Sequence, residues 1–431
     1  MDTWRDIADL VVRAALDAAN AGNAVRRAWK PIDDGPLLIL SIGKASVEMA
    51  AAVSDLLAGR AFEGIVTAVP ERISLTPGES WRVFPCDHPL ATRRNLDAAA
   101  SIESRVRDFV ANHAGRGQLL VLISGGGSAH LTLPADGVSL DEYIELQRRL
   151  MLAGGTIDEM NAVRKHVERL KGGRLAMLAL GLRVRVLAIS DVIGDPLDVI
   201  ASGPLSPDPS TFAEAVGVIT RRGCRGLAPS VDELFERGLR GQVTETPKPG
   251  NSIFDHVESR IIASNASAVD AVAAALQSRY HIAQRRTGVT GEASEVAREL
   301  VDALAAEMKS HHAPACIVGG GEPTVTVGQA KGRGGPSQEL ALAAAIEFER
   351  RGIDEARVIT FSTDGIDGPT GSAGGIGDTP LCRELRAMGR NPVAMLDEHD
   401  SAAALELSGR AITTGPTGTN VNHVFVAIAG G

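Results

Sequence analysis

Cysteine is sparse in this 431-residue chain, with four in all. Cys86, Cys224, Cys316 and Cys382 stand far apart, and no C-x-x-C pair occurs. That excludes a disulfide framework and a zinc ribbon, and fits a reducing compartment. Apolar runs are short. None approaches the roughly 18 residues of a membrane span, and the first segment, rich in Asp and Arg, lacks the apolar core of a signal peptide. A cytoplasmic protein is expected, with no membrane partner. Positive charge is in deficit, the net being −9. This argues against nucleic acid as a partner but not against an anionic small molecule, because a site can be locally basic. Two nucleotide signatures are missing as well. There is no G-x-x-x-x-G-K-[ST], since Ala45 follows Gly43-Lys44, and no G-x-G-x-x-G in any frame. A P-loop NTPase and an ordinary dinucleotide dehydrogenase are therefore unsupported.

What is present is a strand–helix alternation. Short apolar runs at 36–43, 64–69, 118–124 and 183–190 are separated by amphipathic stretches. The pattern pauses in the polar, proline-bearing segment 241–251 and resumes with apolar runs at 260–265, 315–321, 357–362 and 423–430. Such alternation predicts mainly parallel sheets covered by helices. The reading is two α/β domains, 1–240 and 241–431.

Glycine is in excess, at 47 residues. It concentrates after the apolar runs: SIGKAS (41–46), SGGGSAH (124–130), KGGRLA (171–176), SDVIGDPLDVIASGP (190–204), GGGEPT (319–324), GQAKGRGGPSQE (328–339), STDGIDGPTGSAGGIGD (362–378) and TTGPTGTN (413–420). In an open α/β sheet, ligands bind at the carboxyl ends of strands. Glycine there lets backbone N–H groups face an anion. Lysine is rare, seven in all, yet Lys44, Lys165, Lys171 and Lys331 fall in or beside these segments. Arg164 and Lys165 are neighbours on a helix, so at most one of them faces a site. Arg174 and Arg333 could clamp an anion through two donors. Asp191 with Asp195, Asp364 with Asp367, and Glu322 supply carboxylates suited to Mg²⁺, although capping and Asx turns use aspartate in the same way. His88, before Pro89, could touch substrate or be structural. His166 and His311-His312 read as surface, and no His/Cys cluster suggests zinc.

These motifs, in this order and with TIDEMNAVRKHVERLKGGRLA and GPTGTNVNH added, resemble the glycerate 2-kinase family. That is the class II group with a C-terminal MOFRL domain, whose members are sometimes called hydroxypyruvate reductases. The resemblance implies two three-layer α/β/α domains. The first is Rossmann-like with a mainly parallel sheet, the second has a mixed sheet, and the active site lies in the cleft between them. It implies transfer of the ATP γ-phosphoryl group to the 2-hydroxyl of D-glycerate, with Mg²⁺, in a monomer or homodimer. Lys44 is the catalytic residue that the resemblance implies, with Asp191 matching a family acid; the residues themselves add Asp191 or Asp364 as base or Mg²⁺ ligand, and Arg333 or Lys171 as the grip on the substrate carboxylate. Gly125, Gly126, Gly127, Ser128, Asn161, Lys165, Lys171, Glu322, Gln338, Thr417 and Asn420 are the implied nucleotide and substrate contacts. The paired acids Asp191, Asp195, Asp364 and Asp367 are the candidate ligands for that Mg²⁺.

Two departures stand out. The family's G-G-R-N-Q-E run is Gly334-Gly335-Pro336-Ser337-Gln338-Glu339 here, so Arg333 is the nearest guanidinium. After the glycine loop, Ala129-His130-Leu131 replaces the usual Ala-Leu-Leu or Ala-Leu-Phe. The competing expectations are an NAD(P)H-dependent hydroxypyruvate reductase, a kinase for a related hydroxy acid, and a binding protein for a sugar acid.

Overall fold

The computed structural model describes residues 4–75, 78–310 and 314–430; His311 and His312 lie outside these. The chain forms two units. One spans Val25–Ile262, and the other joins the N-terminal residues through Ala24 to the chain from Ala263 onward.

The Val25–Ile262 unit is built on six strands: β1 (Leu37–Ile42), β2 (Glu63–Ala68), β3 (Trp81–Pro85), β4 (Gln118–Ile123), β5 (Arg183–Ile189) and β6 (Val257–Ala263). Their order is β3-β2-β1-β4-β5-β6, and the pairings from β3 through β5 are parallel. β1 and β4 are buried along their whole length. That explains their unbroken Leu/Ile/Val composition, since a central parallel strand is covered on both faces. Leu40, Ile42, Val121 and Val186 pack with Ile102, Val106 and Phe109 of the helix Arg93–His113. A second cluster joins Leu146, Val163, Phe212, Ile219 and Phe235 from four further helices.

In the other unit the sheet is β7 (His281–Glu292), β8 (Ala315–Thr324), β9 (Ala356–Ser362), β10 (Gly374–Asp378), β11 (Ala411–Ile412) and β12 (His423–Ala429). Its order is β11-β10-β9-β12-β8-β7. It is mixed: β7 and β8 run parallel, and the remaining pairs antiparallel. The helix Trp4–Ala19 buries Ile7, Ala8, Val11 and Ala15 and packs on the helix Asn265–Leu276.

Three expectations change. The division does not fall at 240/241, because β6 joins the edge of the first sheet beside β5. The glycine run 319–324 does not follow a strand but completes β8, as the apolar run 315–321 implied for Gly319, Gly320 and Gly321, with Phe425, Asn265 and Val289 pressed where their side chains would stand. Likewise Gly374, Gly375 and Gly377 form β10, packed against Thr360, Leu405 and Ala341. Much of the second unit's glycine therefore serves close backbone packing.

Candidate functional site

The chain leaves β1 toward β2 and β3, and leaves β4 toward β5 and β6. The strand order thus reverses between β1 and β4, which opens a crevice at their carboxyl ends. Two loops meet there. The Lys44 N–H donates to the Gly125 carbonyl at 2.9 Å, the Ala45 N–H to Ser124 Oγ at 3.1 Å, and the Gly43 N–H to His130 Nδ1 at 3.3 Å. The donors of the β1 loop are consumed internally. In the β4 loop, by contrast, the Gly125 and Gly126 N–H groups have no such partner among the described residues. Gly126 sits at φ +84°, with Lys44 Cγ and a His88 carbon each 3.1 Å from where a Cβ would stand. Ser128 Oγ lies 2.9 Å from Ser202 Oγ, and Ser202 Oγ donates to Asn161 Oδ1 at 2.8 Å.

Beside this loop is a cavity of about 250 Å³. Gly125, Gly126, Ser128, His88, Asp191 and Arg164 contribute to its polar wall; Leu90, Ile144, Met151 and Ile157 to its apolar one. Burial, seconded by the Lys44 charge, lowers the His88 pKa to about 4. Burial also lowers His130 to about 4. Both imidazoles are neutral near pH 7. Burial raises the Asp191 carboxyl above its ordinary range, opposed by its own backbone N–H and by Lys44. Lys171 is lowered by burial, against the pull of Glu168. An exposed lysine, unspent N–H groups and a half-buried carboxylate thus converge at the carboxyl ends of β1, β4 and β5.

The structure sorts the expected residues. Gly125, Gly126, Ser128, Lys171 and Asp191 line the cavity, and Lys44 reaches over Gly126. Gly127 packs against Ala201, and Asn161 is bonded through Ser202. Lys165 turns away: its Nζ pairs with Asp198 at 3.1 Å and with the buried Asp208 at 3.3 Å. The neighbour that lines the cavity is Arg164. Lys171 Nζ is held by buried Glu168 at 2.6 Å. Asp195 lies four residues beyond Asp191 at φ +55°, and Arg174 is half-buried, with Glu245 and Asp208 as the acids that act on its charge. His166, expected at the surface, is buried and bonded to Glu245 at 2.7 Å.

The remaining candidates belong to the other unit. Asp367 is buried and accepts the Ser337 and Gln338 N–H groups at 3.0 and 2.8 Å, capping the helix Pro336–Arg351. Asp364 accepts the Ser362 hydroxyl at 2.7 Å and the Ile366 N–H at 3.0 Å. Gln338 donates to Thr370 at 2.8 Å. Thr417 donates to the Thr363 carbonyl at 2.6 Å, and Asn420 accepts from the Asn422 N–H at 2.9 Å. Glu322 is exposed in β8, opposite Thr290. Arg333 is exposed, 3.6 Å from Glu406. Among the described residues no group of three or more His, Cys, Asp or Glu is placed to hold a metal, and no helix is long and apolar enough to cross a membrane. Sequence reasoning missed Gln147 and Ser202. Ser202 sits in the quoted segment 190–204 and Gln147 on a helix outside all of them, and neither carries a charge to draw attention.

Comparison with known proteins agrees with the motifs. Residues 7–236 match the family described as a domain of unknown function (DUF4147), and residues 315–423 match the MOFRL family. A glycerate 2-kinase of Pyrococcus horikoshii is 36% identical over 98% of this chain and 97% of its own. A D-glycerate 2-kinase of Thermotoga maritima is 34% identical over 99% of both. The crystal structure of a Thermotoga maritima glycerate kinase superposes with a TM-score of 0.87 at 32% identity, covering 99% of this chain and 100% of that one. Full-length likeness in sequence and in structure, on top of two family matches in the expected order, leads to one conclusion: the chain belongs to the glycerate 2-kinase family.

Proposed function

We propose that the chain transfers the γ-phosphoryl group of ATP to the 2-hydroxyl of D-glycerate, giving 2-phosphoglycerate and ADP. The observation that carries this is the meeting of Lys44, the free N–H groups of Gly125 and Gly126, and Asp191 at the reversal point of the parallel sheet. Phosphoryl transfer asks a protein mainly for position and charge neutralisation. The loop N–H groups cradle the phosphoryl oxygens, and Lys44 neutralises the charge that builds on them. Mg²⁺ fits this donor set, because it takes one or two carboxylates and fills its sphere with phosphate oxygens and water. Asp191 would hold it, since its carboxylate occupies the space a Gly125 side chain would fill. When bound, the ion supplies further neutralisation of the phosphates.

The strand order favours a second reading, because the same order binds dinucleotides in reductases. It is the weaker one. The β1 turn, whose N–H groups would have to face a pyrophosphate, spends them on Gly125, Ser124 and His130. The test is an ADP-release assay with D-glycerate, with ³¹P NMR to separate 2- from 3-phosphorylation. Oxidation of NADH by hydroxypyruvate, followed at 340 nm, would overturn the kinase reading.

A further inference from the structure

We infer that Arg164 and Gln147 together recognise the carboxylate of the hydroxy-acid substrate; the inference rests on the kinase reading and names the residues of that site. Gln147 projects from the helix Leu140–Leu152 and Arg164 from the helix Ile157–Val167, and both line the cavity. Arg164 Nε donates to Gln147 Oε1 at 2.7 Å. That bond fixes the guanidinium and turns the amide so that Nε2 faces elsewhere. Gln147 is only 7% exposed, and its Nε2 has no hydrogen-bond partner. A buried donor left unmade costs free energy, so the orphan points to an absent acceptor.

The charge balance agrees. Lys171, on the same wall, is matched by Glu168 at 2.6 Å. The Arg164 guanidinium makes no other hydrogen bond and no ion pair among the described residues, so its charge is unbalanced. The pair presents donors only: the two Nη groups of the guanidinium and one amide NH₂. Such a surface takes an anion, and the flat guanidinium fork matches a carboxylate. At about 250 Å³ the cavity falls below the usual range for drug-sized ligands and suits a three-carbon acid.

The experiment measures D-glycerate binding by calorimetry, and steady-state kinetics for both substrates, in wild type, Arg164→Lys and Gln147→Glu. Circular dichroism confirms the fold. Gln147→Glu keeps the acceptor for Arg164 but turns the orphan donor into a negative oxygen. Both variants should weaken D-glycerate binding and raise its KM about 10-fold or more. The KM for ATP should stay within a factor of about two, because the phosphate cradle is untouched. The preference for D-glycerate over neutral glycerol should fall in parallel. Unchanged glycerate binding, or a rise confined to the KM for ATP, overturns the assignment. A wild type that binds D-glycerate through Arg164 yet releases no ADP would reject the kinase reading alone.

Discussion

The carboxylate of Asp191 lies directly against the α-carbon of Gly125, in the space where any side chain would stand. Gly125 is not in the left-handed region, unlike Gly126 at φ +84°. Space alone, not backbone conformation, therefore demands glycine here. Gly125→Ala should fold, because the alanine backbone is unstrained, but its methyl must push Asp191 aside. A shift of about 1 Å in a positioned group can cost on the order of 10²-fold in rate. Turnover in the ADP-release assay should fall by that order while the circular dichroism spectrum stays unchanged. An active Gly125→Ala enzyme would show that Asp191 has no part in the reaction.

Lys44 is exposed at the rim of the same loop, so its removal leaves no buried partner unsatisfied. Lys44→Ala should keep wild-type stability and lose about 10²-fold or more in kcat, the usual cost of one preorganised charge. Its charge also helps hold His88 down near pKa 4. An NMR titration of His88 should therefore move upward in the variant. Near-normal turnover would remove Lys44 from the chemistry.

The sheets were legible because their strands are continuous apolar runs, as in β1 and β4. The boundary between the units was not. β6 reads like any other half-buried strand, and a polar stretch before it looks like a linker whichever sheet it joins. Glycine misled in one half for a physical reason. In Gly125 and Gly126 it lets Asp191, Lys44 and His88 close on a loop of the candidate site, whereas in Gly319–Gly321 it lets Phe425, Asn265 and Val289 approach the backbone. Both uses leave the same letters. Periodicity likewise established that Arg164 and Lys165 face different sides of their helix, but the facing acids Asp198 and Asp208, which decide which side is the site, lie 33 or more residues away.

His130 occupies a place where the family carries an apolar residue. It is fully buried, lies 2.9 Å from Thr67 Oγ1 and accepts the Gly43 N–H. Burial lowers its pKa from 6.5 to about 4. The unfolded chain thus takes a proton between pH 6.5 and 4 that the native one refuses. Stability must fall as pH drops through that window. His88 and His423, lowered to about 4 as well, act in the same sense. His130→Leu should flatten the loss of Tm between pH 6.5 and 4, while costing about 1 kcal/mol at pH 7 for the lost hydrogen bonds. An unchanged acid slope would mean that His130 titrates normally.

Asp367 makes the opposite prediction. Burial raises its carboxyl from 3.8 to about 7, even though the Ser337 and Gln338 N–H groups favour the ionised form. Between those values the native state holds a proton that the unfolded chain has released. This component of stability therefore declines as pH rises from about 4 to 7, and is flat above. Asp367→Asn removes the component and one cap acceptor, a loss of about 0.5–2 kcal/mol. Thermal unfolding of the two proteins should show the wild-type advantage shrinking as pH rises. Adding Mg²⁺ separates the roles proposed for this residue. A helix cap predicts the same small Tm response to Mg²⁺ in both proteins, whereas a metal ligand predicts a wild-type gain near pH 8 that Asp367→Asn lacks. The geometry favours the cap, because both carboxylate oxygens already receive backbone N–H groups.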